Sequence, residues 1–231
     1  MGLSNFSKNS TEAGFTLVEI AIVLVIIGLL LGGVLKGQEM ITQAKIKNIV
    51  NDFNGITVAV TSYQDRYRAI PGDDLNATTR WTVQNPASGN GNGIIAGLYN
   101  ALPGAGAPTS AAESNLFWQH LRIAGFVPGL TTGAGSGTQP TNAAGGMIGV
   151  ESGAPGTNGL GFTSLIVCFA NLPEKVASAV DGQMDDSNPA TGQIRGQLQG
   201  TANPPTASDA GGAATAYVET GVNQYLLCKN L

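Results

Sequence analysis

The fold of this chain is decided by residues 14–35, whose sequence is GFTLVEIAIVLVIIGLLLGGVL. From Phe15 to Leu35 the segment holds one charged side chain, Glu19. As a helix rising about 1.5 Å per residue, it would cross the roughly 30 Å hydrocarbon layer of a membrane. A soluble core helix is rarely so uniformly apolar, and a signal peptide is shorter and ends in a small-residue cleavage site. The sequence therefore predicts a membrane-spanning helix over residues 15–35 that the mature protein keeps.

Glu19 is unusual because a carboxyl group inside a membrane helix costs about 2.5–3.5 kcal/mol on insertion scales. Either it lies near the helix end and reaches the interface, or it pairs with a cation in an apolar setting. Cleavage before Phe15 would create such a cation, because it frees an α-amino group four residues away in sequence. We therefore treat Glu19 as a candidate functional residue.

The sequence GFTLVE at residues 14–19 resembles the cleavage and methylation motif of type IV pilins and of the pseudopilins of type II secretion systems. The resemblance covers about residues 1–70. It implies that a membrane aspartyl protease, the prepilin peptidase, removes a leader after Gly14 and methylates the new amino group of Phe15. It also implies that Glu19 pairs with the N-terminal ammonium of a neighbouring subunit during filament assembly. A buried ion pair is tolerated, whereas one stranded charge costs about 3–5 kcal/mol.

The same resemblance implies partners and a location. The partners are copies of this chain, other pilins, the prepilin peptidase and an inner-membrane assembly platform. The protein is expected in the inner membrane as a single-pass chain, and afterwards in a pilus at the cell surface or in the periplasm. A pilin or minor pilin, acting in adhesion or motility, is the first expectation, and a protein-secretion pseudopilin is the second. A rival from another class is a periplasmic binding protein anchored by an uncleaved helix.

Gly28 and Gly32 form a G-x-x-x-G pattern within the apolar segment. In membrane helices such small residues allow two backbones to approach closely. Ordinary tolerance of membrane helices for glycine explains the pattern equally well, so helix packing at these positions is one of two interpretations.

Beyond Lys36 the chain is predicted to continue as an amphipathic helix, because apolar residues recur at steps of three and four. No proline intervenes before Pro71, and the residue before a proline is biased away from helix. One long helix over residues 15–70 is therefore expected, with a membrane half and a half that packs on a globular head. The residues that form the apolar stripe include Ile49, Phe53, Ile56, Val60, Tyr63 and Tyr67.

The head, residues 71–231, is predicted to be an α+β domain with an antiparallel sheet packed on the long helix, as in type IV pilins. A capping-box pattern predicts a helix over Ser110–Gly125, and a second helix is expected from Pro173 to Asp185. Runs of apolar and β-branched residues bounded by glycine or proline predict strands at Met147–Val150, Phe162–Phe169, Gln193–Gln199, Ala216–Val218 and Val222–Cys228.

Cys168 and Cys228 are the only cysteines. Two buried thiols in a cytosolic domain would be one interpretation. Since the N-terminal membrane segment implies that the remainder of the chain is exported, a disulfide in an oxidising compartment is expected instead. It would link the last strand to the strand at Phe162–Phe169.

The turn after the second head helix is acidic, with Asp181, Asp185 and Asp186 close together in sequence. Carboxylates near a helix C-terminus oppose its dipole, so either solvent screens them or a cation lies there. Oxygen ligands suit calcium, although the spacing is not that of an EF-hand loop. No cofactor is expected, with calcium at this turn as the alternative.

No enzymatic motif is recognisable, and chemistry is expected to be performed on the chain rather than by it. His120 is the only histidine, and its place on a short helix predicts a surface or boundary residue. Asp73 and Asp74 follow Pro71-Gly72 and are typical of a turn and a helix cap.

The head carries more acidic than basic residues. From Asp73 onward there are ten acidic side chains and five basic ones, which disfavours nucleic-acid binding by the head as a whole.

Overall fold

The computed structural model describes residues 16–102, 112–153, 159–199 and 214–231. Internal contacts divide the chain into two units, of which the first ends at Gln43 and the second is Ala44–Leu231. The predicted fold class is confirmed, because a long N-terminal apolar helix is combined with a four-stranded antiparallel sheet. The predicted leader lies outside the described residues, and so do the cleavage-site residues Gly14 and Phe15.

The long helix, α1, is Leu17–Tyr67. It ends where Arg68 adopts a left-handed backbone with φ of 53°, three residues before Pro71. This end lies close to the predicted one, because a left-handed residue and a nearby proline both prevent the helix from continuing.

In the first unit, the described large apolar side chains of α1 are exposed. From Leu17 to Leu35 the large apolar side chains are between 47% and 90% exposed. Length and composition make this helix able to cross a membrane. Such a stretch is stable in lipid or against other apolar surfaces and unfavourable in water.

In the second unit, α1 contributes one stripe of residues to the hydrophobic core. The phenyl ring of Phe53 stacks on that of Phe169, with ring centroids 3.8 Å apart. The buried positions follow the three- and four-residue steps that the sequence predicts. They are Ile46, Ile49, Phe53, Ile56, Ala59, Val60 and Tyr63.

The sheet has the order β1-β2-β4-β3, and all its pairs are antiparallel. The sequence patterns locate all four strands, with shifts of one to four residues at most ends. The exception is Ala216–Val218, which is predicted as a strand and has no regular structure. The strands are β1 Ile148–Ser152, β2 Leu165–Pro173, β3 Ile194–Gln199 and β4 Gln224–Asn230.

Both faces of the central strands are buried. On β2, Val167 and Phe169 face the core that contains α1, whereas Ile166 and Cys168 belong to a second cluster with Tyr99. Cys168 lies directly opposite Cys228 on β4, and the two form a disulfide. The predicted bridge between these strands is thereby confirmed.

The remaining α-helices of the described residues are short: α2 is Ala77–Arg80, α3 is Glu113–Ile123 and α4 is Glu174–Met184. The predicted start of α3 at Ser110 is wrong. Ala112 precedes the helix without any side-chain cap, and Ser110 lies outside the described residues. Glu113 does not fold back on its own helix, because its carboxylate accepts hydrogen bonds from the N–H groups of Asn90 and Ala96.

Candidate functional site

The candidate assembly site begins at the first turn of α1. The Glu19 carboxylate accepts hydrogen bonds from the Thr16 N–H and hydroxyl, each 2.9 Å long. The Thr16 hydroxyl oxygen in turn accepts the Glu19 N–H at 3.3 Å. These reciprocal bonds form a capping box, which satisfies N–H groups that a helix start leaves unpaired. In the single chain, Glu19 therefore holds the start of its own helix.

Thr16 is a functional candidate that the sequence analysis missed. Its signal was present, because Thr16-Leu17-Val18-Glu19 follows the S/T-x-x-E pattern that marks a helix start. We interpreted Glu19 from the sequence as the partner of an ammonium group, although Thr16 is a local partner for its carboxylate.

Gly28 and Gly32 lie on the exposed part of α1. A Cβ atom added at either position would meet no atom within 4 Å. Among the described residues, then, nothing packs closely on the two glycines, and their predicted role in helix packing would involve other copies.

Asp181, in the last turn of α4, comes together with Asp185 and Asp186, which follow the helix, and one oxygen from each lies within 4.8 Å of the others. Asp181 is fully buried. Its Oδ2 accepts the Tyr217 hydroxyl at 2.7 Å, while its Oδ1 has no hydrogen-bond partner among the described residues. Burial, followed by the charges of Asp186 and Asp185, raises the pKa of the Asp181 carboxyl. A cation bound here would reduce the repulsion among the three carboxylates and would give the Oδ1 of Asp181 a partner.

The other two carboxylates are held by neighbouring groups. Asp185 accepts the Ile194 N–H at 2.9 Å, and Asp186 accepts the Asn188 N–H and the Thr191 hydroxyl. Their side chains are thus oriented before any ion binds. The cluster fits a hard cation by its all-oxygen donors and by the unpaired buried oxygen of Asp181.

His120 is fully buried, so the prediction of a surface or boundary residue is wrong. Its Nδ1 accepts the Gly72 N–H at 2.9 Å, and its Nε2 lies 2.9 Å from the Ala87 carbonyl oxygen. With Nδ1 accepting, Nε2 carries the proton and donates it to Ala87. Burial lowers the pKa of His120. The neutral imidazole of His120 thus connects α3 to the chain segments at Gly72 and Ala87.

Asp73 and Asp74 organise the turn after α1. Asp74 accepts the Tyr63 hydroxyl at 2.7 Å and pairs with Arg80. Burial raises the pKa of the Asp74 carboxyl, but the bonds from Arg80 and Tyr63 outweigh it and hold this pKa below its ordinary value. Asp73 accepts the N–H groups of residues 91–93. Both carboxylates therefore have structural roles, since each makes hydrogen bonds that hold the turn.

Residues 9–35 match the family described as the prokaryotic N-terminal methylation motif. The chain thus carries the signature of type IV pilins and pseudopilins, as the resemblance at residues 14–19 indicated. The match covers the apolar segment and not the sheet-containing unit. No curated protein matches the chain.

Proposed function

We propose that this chain is a prepilin whose processed product is a structural subunit of a type IV pilus or a related filament. One observation carries the proposal: the methylation motif at residues 9–35 extends into α1, whose large apolar side chains from Leu17 to Leu35 are exposed in the single chain. The motif supplies the chemistry of processing, and the exposed helix supplies the surface for assembly.

The physical reason is the cost of apolar surface in water, about 25 cal/mol per Å². Lipid covers the residues from Leu17 to Leu35 before assembly. When the subunit leaves the bilayer, helices of other copies must replace that cover. In lipid, small residues such as Gly28 and Gly32 favour close helix contacts because packing drives association there.

The proposal predicts the N-terminus of the mature protein. Mass spectrometry of chain extracted from filaments or membranes should find an N-terminal Phe15 that carries a methyl group. Gly14→Val should leave the leader attached, because the cut follows a small residue in the motif that this chain resembles. Mature protein that begins at Met1 would contradict the proposal and favour the anchored binding protein.

A pseudopilin of a type II secretion system is the alternative within the same family, and the methylation motif is common to both. We place the pilus first. The two differ in where the filament lies, outside the cell or in the periplasm.

We also propose that Asp181, Asp185 and Asp186 hold a calcium ion. The unpaired buried oxygen of Asp181 supports it. Calcium at one hundred times its dissociation constant should stabilise the protein by about 2.7 kcal/mol. Because the pKa of Asp181 is raised, protons compete with the ion, and the stabilisation should shrink as pH falls through that raised pKa.

The calcium proposal is tested by thermal unfolding with calcium and with a chelator. Asp186→Asn should lose the response, whereas Glu219→Gln, an exposed acid outside the cluster, should keep it. An unfolding temperature that is the same with calcium and with chelator would contradict the calcium proposal.

A further inference from the structure

A concave site lies in the sheet-containing unit and is lined by residues other than those of the acidic cluster. It is a pocket of about 290 Å³ between α1, α3 and the loops that follow α3. At about 30 Å³ per atom, the value for water in the liquid, this space holds a molecule of about ten non-hydrogen atoms. The lining residues are Asn51, Asp52, Gly55, Ile56, Trp118, Phe126, Val127, Pro128, Pro140, Thr141 and Ile148.

The wall of the pocket is largely apolar. Trp118 and Ile148 belong to the hydrophobic core and are 0% and 3% exposed. Phe126, Val127 and two prolines complete this wall. Aromatic and aliphatic groups of this kind form most of the surface in ligand pockets, with few polar groups to orient the ligand.

Gly55 opens the pocket on the side of α1. It lies in the interior of the helix, where glycine costs roughly 0.8–1.0 kcal/mol relative to alanine. A Cβ added here would meet nothing within 4 Å, so close packing does not require the glycine. What its small size provides is space along the helix backbone.

Asp52 is the only ionisable residue that lines the pocket. Its carboxylate is partly buried and takes part in no ion pair within the described ranges, where the pairs are Lys36–Glu39, Arg68–Asp65, Arg80–Asp74 and Lys175–Glu219. Burial raises the pKa of Asp52. A partly desolvated acid without a cation favours a positively charged ligand.

We propose that this pocket binds a small organic amine, with its ammonium group at Asp52 and an apolar body of up to about ten non-hydrogen atoms against the partly exposed side chains of Phe126 and Val127. The site does not depend on filament formation, because all its residues lie in one unit of one chain.

The test uses the full chain in detergent micelles and the fluorescence of Trp118, with Trp81→Phe as background because these are the only two tryptophans. The probe is 2-phenylethylamine, and 2-phenylethanol is its neutral match. We expect saturable binding of the amine that is at least about tenfold tighter than binding of the alcohol, which corresponds to about 1.4 kcal/mol.

Two variants locate the site. Asp52→Asn should bind amine and alcohol equally, because it keeps the size of the side chain and removes its charge. Gly55→Leu should bind neither, since it fills the space above the helix. Thermal unfolding of both variants, with Gly55→Ala as the small control, should show that the fold is intact.

Three outcomes would overturn the proposal. They are the absence of saturable amine binding to the parent chain, an amine preference that persists in Asp52→Asn, and unchanged binding in Gly55→Leu. The last two would mean that the amine partitions into the micelle or binds elsewhere on the chain. Failure here leaves the processing test at Phe15 unaffected.

Discussion

Glu19 has a local partner in the single chain and a proposed distant one in the filament. Its carboxylate accepts two hydrogen bonds from Thr16, and assembly would have it face the ammonium of a neighbouring subunit. The capping bonds aim the carboxylate at the start of α1, where an incoming charge could reach it. Capping and pairing are compatible, because an ionised carboxylate can accept about four hydrogen bonds.

Two substitutions separate the cap from the charge. Glu19→Gln keeps a side chain that completes a capping box, whereas Glu19→Ala removes both functions. We expect both variants to insert into the membrane and both to lower filament yield by at least about tenfold, because an unpaired ammonium costs about 3–5 kcal/mol. The measurement is the ratio of filament to membrane protein on immunoblots. Normal yield from Glu19→Gln would assign the residue to the cap alone.

At the scale of elements, the disulfide joins β2 and β4 at the centre of the sheet. Cys168 and Cys228 are opposite each other and fully buried, on the face that lies away from α1. Since β4 lies between β2 and β3, the bond ties the C-terminal strand to the strand that pairs with β1.

Reduction of the disulfide should lower the stability of the sheet-containing unit without altering its packing. For a separation of 60 residues, loop-closure entropy predicts a loss of roughly 4 kcal/mol in the free energy of unfolding. Urea unfolding of the oxidised and reduced protein, followed by tryptophan fluorescence, measures it. A Cys168→Ala/Cys228→Ala double variant serves as the control for the thiols. A loss below about 1 kcal/mol would show that the reduced strands hold together unaided.

At the scale of the whole molecule, apolar surface and charge are unevenly distributed. The large side chains from Leu17 to Leu35 are exposed, while the charged residues lie almost entirely beyond this segment. In water such a chain would associate through its apolar helix. In a filament the apolar segments would meet and the polar surfaces would face outward.

This distribution makes a prediction about the assembled state. Cells that express the chain with its assembly machinery should carry extracellular filaments, seen by electron microscopy and labelled by an antibody against the sheet-containing unit. A Phe15 deletion, which disrupts the cleavage motif, is the control and should give none. Filaments confined to the periplasm would favour the pseudopilin instead.

Local patterns in the sequence were sufficient for the long helix, the four strands and the pairing of the cysteines. The helix and the strands depend on residues that are close in the sequence, and the pairing depends on the number of cysteines. An apolar run with a single charged residue predicts a membrane span, and steps of three and four predict the face that carries Phe53. A chain with two cysteines has one possible intramolecular pairing. The cap at Thr16 was equally local and could have been found.

The tertiary structure alone decided the environments of individual polar residues. His120 is buried because Gly72 and Ala87, 48 and 33 residues away, close over it. Glu113 holds a distant loop instead of its own helix end, and Asp52 lies in a pocket built from five separate stretches of the chain. Burial depends on which distant parts of the chain meet, and that is set by the packing of the whole core rather than by any local pattern.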